Sequence, residues 1–325
     1  MTAGQTAPRR GNWRPRLVVL DLDGTTVAIN QLTPSSRVSA AIRATILAGV
    51  PVTVATGRPV WATLPTVESL KLAPCLTSDG ARGTGGARGV RGAGRAGIGP
   101  SVMSELSGKP ASVTEPQALS VVCSNGSIVY DAARRRAVHR FTVDPGPAIR
   151  AMAKARPEAG FAVEHGLVGY RYTRQFVRDF PSTFLDEVEI NELVAAPTTR
   201  ASGRVPGVPV PRSHTRCEVA AAWIGDAGLS DSDYSYEIGY SGWVDVSAPG
   251  VSKGNGVALL ARDLEVEASD VLVIGDGGND LSMFAWAGRS VAMGQAPPEV
   301  QAAADEVTAS VEEDGVALVL EQWLN

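Results

Sequence analysis

The sequence predicts an α/β protein built on a parallel sheet, and three observations point to it. Short apolar runs stand at Leu17-Val18-Val19-Leu20, at Val50 to Ala55 and at Val271-Leu272-Val273-Ile274. Such a run suits a strand buried on both faces. Each run ends in a loop of Asp, Thr and Gly: Asp21-Leu22-Asp23-Gly24-Thr25, then Thr56-Gly57-Arg58-Pro59, then Gly275-Asp276-Gly277-Gly278-Asn279-Asp280. Between the first two runs, Val38, Ile42, Ile46 and Leu47 keep a helical period that Gly49 stops. Ligands of an open α/β sheet bind beyond the carboxyl ends of its strands, so the polar loops mark the expected site.

Composition sets the limits. At about 150 residues per domain, a chain of 325 residues predicts two domains. Its 44% hydrophobic and 20% charged residues are ordinary for a globular protein, with ample material for a core. Thirty basic against 34 acidic side chains give a formal charge of −4, which argues against a nucleic-acid binder. Cys75, Cys123 and Cys217 form no CxxC pair, so neither a disulfide framework nor a zinc site is expected. His139, His165 and His214 have no ligand-like spacing. Ahead of Asp21 the apolar run is too short for a signal segment, and nothing approaches the roughly 18 apolar residues of a membrane span. A cytoplasmic protein without membrane contact is the expectation.

Residues 1–15 read as a flexible N-terminus and 16–142 as the first part of the main domain. Within it, residues 79–99 carry nine Gly and four Arg in twenty-one positions. Too little apolar surface is available there to offset ordering entropy, so 79–117 reads as a disordered insertion. Gly92-Ala93-Gly94-Arg95-Ala96-Gly97 fits the dinucleotide pattern G-x-G-x-x-G but lacks a preceding strand and a following apolar helix. Residues 143–246 read as an inserted α+β domain. Its expected pieces are a helix over Ile149 to Lys154 and β-like segments at Gly160 to Glu164 and Glu218 to Trp223, with Pro197 to Arg216 a surface loop. The main domain resumes over 247–325.

Four segments carry chemistry. Asp21 and Asp23 close the first strand two residues apart, with Gly24 allowing a tight turn; alone, the pattern also serves as an Asx turn. Thr56-Gly57 offers a hydroxyl and backbone N–H groups suited to phosphate, or a plain helix cap. Lys253 stands at the start of a helix, against the dipole, where a lysine is at home beside an anion or simply in water. The loop Asp276-Gly277-Gly278-Asn279-Asp280 gathers hard oxygen ligands of the kind Mg²⁺ takes.

In this order, the segments DLDGT, ATGRP, SKG and GDGGND resemble those of the haloacid dehalogenase superfamily, specifically its Cof-like phosphatases. The resemblance extends to Ser124-Asn125-Gly126-Ser127, Ser290-Val291-Ala292-Met293-Gly294 and Glu313-Asp314-Gly315-Val316, while residues 75–117 depart from it. It implies a Rossmann-like parallel-sheet core with a large inserted cap, and a phosphatase for a small phosphorylated metabolite such as a sugar phosphate. It further implies Asp21 as the nucleophile that forms an aspartyl-phosphate and Asp23 as the general acid and base. Mg²⁺ would bind Asp21, the Asp23 carbonyl and Asp276. Lys253 and Thr56 would stabilise phosphoryl oxygens, Gly57 and Asn279 would contact the phosphate, and Asp280 would orient Lys253 or a metal-bound water. His165, Tyr170, Arg171 and Arg174 are candidate cap contacts, equally readable as a solvated strand face. Two alternatives stand beside this reading: a phosphomutase, and an RNA- or protein-binding role of the Gly/Arg segment.

Overall fold

A computed structural model describes residues 13–29, 31–70, 72, 120–178, 182–205, 215–239 and 243–324. The apolar runs become three adjacent strands of a five-stranded parallel sheet. Leu17–Leu20 lies between Val52–Val54, the last strand on one side, and Val271–Gly275, the middle strand. Arg289–Ala292 and Glu306–Val307 extend the sheet beyond Val271–Gly275. Leu17 to Leu20 are fully buried because both faces are covered. Val18 and Leu20 pack with Val38, Ile42 and Leu320 of helices Ser36–Leu47 and Gly315–Leu324. On the opposite face, Leu17 and Val19 pack with Val257, Leu260 and Met283 of helices Lys253–Asp263 and Leu281–Trp286. A hairpin sheet, Ser120–Cys123, Ile128–Asp131 and Arg136–Arg140, adjoins Val52–Val54 through a parallel bridge between Ala55 and Val122.

A second sheet of six strands runs in the order Ser235–Ile238, Val244–Ser247, Ala201–Arg204, Gly160–His165, Gly169–Tyr172, Phe184–Glu187. Its two faces differ in chemistry. Phe161, Val163, Ala201, Val244 and Val246 pack on helices Gly146–Ala155 and Thr215–Asp226 through Ile149, Met152 and Trp223. The other face carries Ala162, Tyr170 and Tyr172, packed with Trp61 from helix Val60–Leu70 of the first domain. That face looks toward the ends of the parallel strands.

Three local expectations are corrected. Glu218 to Trp223 belongs to helix Thr215–Asp226 and is not a strand; Ala220 and Trp223, three residues apart, are both buried as one helical stripe. Pro197 to Arg216 is not a surface loop in its described part. Thr198, Thr199 and Arg200 are buried, and Ala201–Arg204 is an interior strand of the six-stranded sheet. Of the residues expected to be a flexible start, Trp13 and Pro15 are packed instead. Trp13 stands edge-on to Trp323 at 5.2 Å and donates to the Ser269 carbonyl, and Pro15 is buried. The Gly/Arg-rich segment 79–117 and its G-x-G-x-x-G pattern lie outside the described residues.

Candidate active site

Strand Leu17–Leu20 delivers Asp21 to the carboxyl edge of the sheet, where its N–H donates to the Ile274 carbonyl at 2.9 Å. Its carboxylate is buried and accepts from Lys253 Nζ at 2.6 Å. Lys253 is the first residue of its helix, capped by Ser252, whose hydroxyl accepts from the Asn255 N–H. The same ammonium donates to Asp280 Oδ1 at 2.6 Å, and only 1% of its side chain is exposed. Asp280 Oδ2 accepts two further bonds, from the backbone N–H groups of Asp276 and Gly277 at 2.9 Å. Both oxygens of Asp280 are therefore spent on fixing Lys253 and the loop. Asp276 Oδ1 accepts from the Thr25 hydroxyl at 2.9 Å. Gly24 sits in left-handed backbone (φ +84°), and a Cβ there would overlap the Asp276 carboxylate. Glycine is thus what lets the Asp21 and Asp276 loops touch.

Carboxylate oxygens of Asp21, Asp276 and Asp280 all lie within 4.8 Å of one another. Burial holds the Asp21 carboxyl well above its usual range, Lys253 opposes this, and Asp280 and Asp276 add to it. Asp276 is raised to about 6, first by burial and then by Asp280. For Lys253, burial works to lower the ammonium, yet Asp21 and Asp280 more than offset it and leave it raised. Acids crowded at this spacing, with hard oxygen donors, fit a divalent cation such as Mg²⁺. Because Asp280 is committed to Lys253 and two amides, the carboxylates of this cluster left for a metal are those of Asp21 and Asp276. The Asp23 carboxylate stands outside the cluster.

Arg58 grips Asp23 instead, in a two-point contact: Nε to Oδ2 at 2.7 Å and Nη2 to Oδ1 at 2.5 Å. Further bonds to Thr66 Oγ1 and the Gln31 carbonyl fix the guanidinium. Thr56 is buried, and its hydroxyl accepts from the Arg58 N–H at 3.0 Å, which leaves its own hydrogen to donate. Gly57 lies against Asn125 Oδ1 and Asn279 Nδ2, and Asn279 donates to Asn125 at 3.0 Å. Ser124 and Asn125 both hold left-handed backbone, φ +52° and +53°. Such strain persists where surroundings enforce it, and here Asn125 N–H is tied to the Thr56 carbonyl at 3.1 Å. The structure thus gathers Asp21, Asp23, Thr56, Gly57, Lys253, Asp276, Asn279 and Asp280 at one edge. Arg58 and Asn125 join them; both stand inside the quoted motifs, but nothing local marks their partners.

A buried polar network on the second sheet, which sequence reasoning missed, reaches the same edge. Arg200 Nη1 donates to the Gly57 carbonyl at 2.5 Å and pairs with Asp245 at 3.1 Å, while Nη2 meets Glu164 at 2.9 Å and the Tyr170 hydroxyl at 2.7 Å. Glu164 also accepts from Ser124 and Thr199 hydroxyls. Of the four candidate cap contacts, only Tyr170 belongs to this face, where its ring meets Trp61 edge-on at 5.1 Å. His165 and Arg174 are exposed, and Arg171 pairs with Glu192 at 3.5 Å.

The chain is similar to known proteins. The model of the haloacid dehalogenase-like hydrolases matches residues 18–83 and 217–320. YxeH of Bacillus subtilis, provisionally named a phosphatase, is 54% identical over 66 residues, which cover 20% of this chain and 24% of YxeH. The phosphoglycolate phosphatase of Methanothermobacter thermautotrophicus is 34% identical over 97 residues, 30% of this chain and 43% of that protein. The chain therefore spans less than half the length of these curated relatives. Among solved structures, the subclass IIB sugar phosphatase BT4131 superposes with a TM-score of 0.67 at 18% identity, over 94% of this chain and 98% of that one. A haloacid dehalogenase-like hydrolase from B. subtilis gives 0.66 at 20% identity, over 94% and 99%. At these identities the likeness is one of fold.

Proposed function

Because the chain belongs to the haloacid dehalogenase-like hydrolases, we propose that it is a Mg²⁺-dependent phosphatase of a small phosphorylated metabolite, a sugar phosphate or similar monoester. The observation that carries this reading is the shared ammonium of Lys253, held between Asp21 and Asp280 beside the acidic pair Asp21 and Asp276. Asp21 attacks phosphorus and becomes an aspartyl-phosphate, so that one difficult displacement becomes two. Asp23, oriented by Arg58, gives its proton to the leaving alkoxide and takes one from the water that follows. Lys253 and the Thr56 hydroxyl meet the phosphoryl oxygens as charge moves onto them, with Gly57 and Asn279 lining the same position. Asp21, the Asp23 carbonyl and Asp276 would hold Mg²⁺, which would supply the positive charge that lets carboxylate and phosphate approach.

In this reading residues 143–246 are the cap, which excludes water and contacts the leaving group, and 16–142 with 247–325 are the core. Among the described residues no helix is long and apolar enough to cross a membrane. The test is phosphate release from sugar phosphates, nucleotides, flavin mononucleotide and p-nitrophenyl phosphate, with Mg²⁺ or with EDTA. Release that requires Mg²⁺ is expected. Folded protein that releases phosphate from none of them would overturn the reading.

A further inference from the structure

The polar face of the six-stranded sheet holds one carboxylate that has no role so far. Strand register places Glu237 directly across from Asp245, Asp245 across from Ser202, Ser202 across from Ala162, and Ala162 across from Tyr172. Residues paired in this way share a face, so Glu237 belongs to the face that looks onto the core. Strand Ser235–Ile238 also packs against the turn Gly278–Asp280, and the charges that Glu237 senses are those of Lys253, Asp245 and Asp280. Its strand therefore borders the loop that carries Asn279 and Asp280.

Every neighbour is already engaged. Lys253 is held by Asp21 and Asp280, and Asp245 accepts from Arg200 and from the Ser202 hydroxyl at 2.6 Å. Among the described residues the cations of this face are engaged as well: Arg200 with Glu164 and Asp245, Arg204 over the Trp243 ring at 5.6 Å, and Arg178 with the Tyr172 hydroxyl at 3.0 Å. Glu237 alone is half-buried with no hydrogen bond or ion pair among the described residues. A carboxylate so placed is under-solvated and gains most from a donor that arrives with a ligand. Burial, against Lys253 and with Asp245 and Asp280, lifts its carboxyl to about 7, in keeping with that shortage of donors.

We infer that Glu237, with Asp245 beside it, selects the leaving group: it accepts hydrogen bonds from hydroxyls or an ammonium, and it repels a leaving group that carries a second anion. The inference rests on the phosphatase reading and sharpens it to esters whose alcohol is donor-rich and not anionic. Among the described residues, Glu164, Asp245 and Glu237 share this face with Arg200 and Arg204, both engaged, while the third guanidinium, Arg178, is held by Tyr172 toward the other edge of the sheet; next to Glu237 no described cation is left for a carboxylate or another phosphate.

A matched set of hexose esters tests this directly: glucose 6-phosphate, glucosamine 6-phosphate and 6-phosphogluconate, whose oxidised end is a carboxylate. For the wild-type enzyme, kcat/KM for the two uncharged or cationic alcohols is expected to exceed that for 6-phosphogluconate at least about tenfold, the scale of one charged hydrogen bond. Glu237→Gln should bring the ratio toward unity, mostly through KM, and should penalise glucosamine 6-phosphate most. Wild-type preference for 6-phosphogluconate, or a ratio that Glu237→Gln leaves unchanged in an active enzyme, would overturn the inference and leave the phosphatase reading standing. Folded wild-type protein that hydrolyses none of the three, nor p-nitrophenyl phosphate, would remove both.

Discussion

Lys253 Nζ donates to Asp21 Oδ1 at 2.6 Å across 232 positions of sequence, which joins the first strand of the chain to a helix near its end. The parallel pairing of Leu17–Leu20 with Val271–Gly275 makes this contact possible, since it brings Asp21 and the Asp276–Asp280 loop to one edge. Everything proposed for the site depends on that edge staying closely packed.

Gly24→Ala tests the packing. Its left-handed backbone costs an L-residue roughly 1–2 kcal/mol, and the new methyl overlaps the Asp276 carboxylate. Because a small misplacement of reacting groups can cost roughly 100-fold, phosphate release is expected to fall by about that factor. A thermal melt should show only a modest loss of stability.

Arg58→Ala tests the grip on Asp23. A sugar phosphate has a poor leaving group and needs the proton from Asp23, whereas p-nitrophenyl phosphate does not. Steady-state kinetics should show a loss for the sugar ester within the roughly 10²–10⁴-fold that general acid–base catalysis supplies, and a much smaller loss for the aryl ester. Arg58→Lys keeps the charge but not the fork that contacts both oxygens, so it should rescue only part of the activity.

The buried pair Arg200 and Glu164 is a matter of stability. Only 5% and 0% of their side chains are exposed, so Arg200→Ala leaves an unpaired carboxylate in the interior. Removal of one partner from such a pair costs about 3–5 kcal/mol, which denaturant unfolding can measure. The double variant Arg200→Ala/Glu164→Gln should recover part of that loss.

The pH dependence follows from Asp276, raised from 3.8 to about 6. A carboxyl whose folded value is raised contributes stability below its unfolded value and loses that contribution as pH rises through the folded one. In EDTA, the contribution of this group should therefore decline between about pH 4 and about pH 6. A metal ligand must be ionised to bind, so added Mg²⁺ should raise the melting temperature more at pH 8 than at pH 5. Paired melts with Mg²⁺ and with EDTA at the two pH values check both statements.

How far the sequence could be read follows from the kind of signal each part carries. Asp21, Thr56, Lys253 and Asp276 stand at the ends of apolar runs, and that local pattern survives into the parallel sheet unchanged. The pairing of Arg58 with Asp23 depends on how two loops meet, which no spacing encodes. On the cap, Glu164, Asp245 and Glu237 lie on strands that mix polar and apolar residues, and Arg200 immediately precedes one. A mixture of this kind reads as one face in water, and only the docking of that face onto Gly57 and Ser124 buries it. The run Glu218 to Trp223 reads as β-like by its apolar composition, and that reading fails because packing through Ala220 and Trp223, three residues apart, favours a helix.

The central claim is that the phosphoryl group passes through the Asp21 carboxylate. The most direct measurement is an acid quench of the enzyme turning over p-nitrophenyl phosphate with Mg²⁺, followed by mass spectrometry of its peptides, for the wild type and for Asp21→Asn. A phosphoryl adduct on the Asp21 peptide of the wild type, absent from the variant together with phosphate release, is the predicted result. Phosphate release by Asp21→Asn at the wild-type rate would contradict the account.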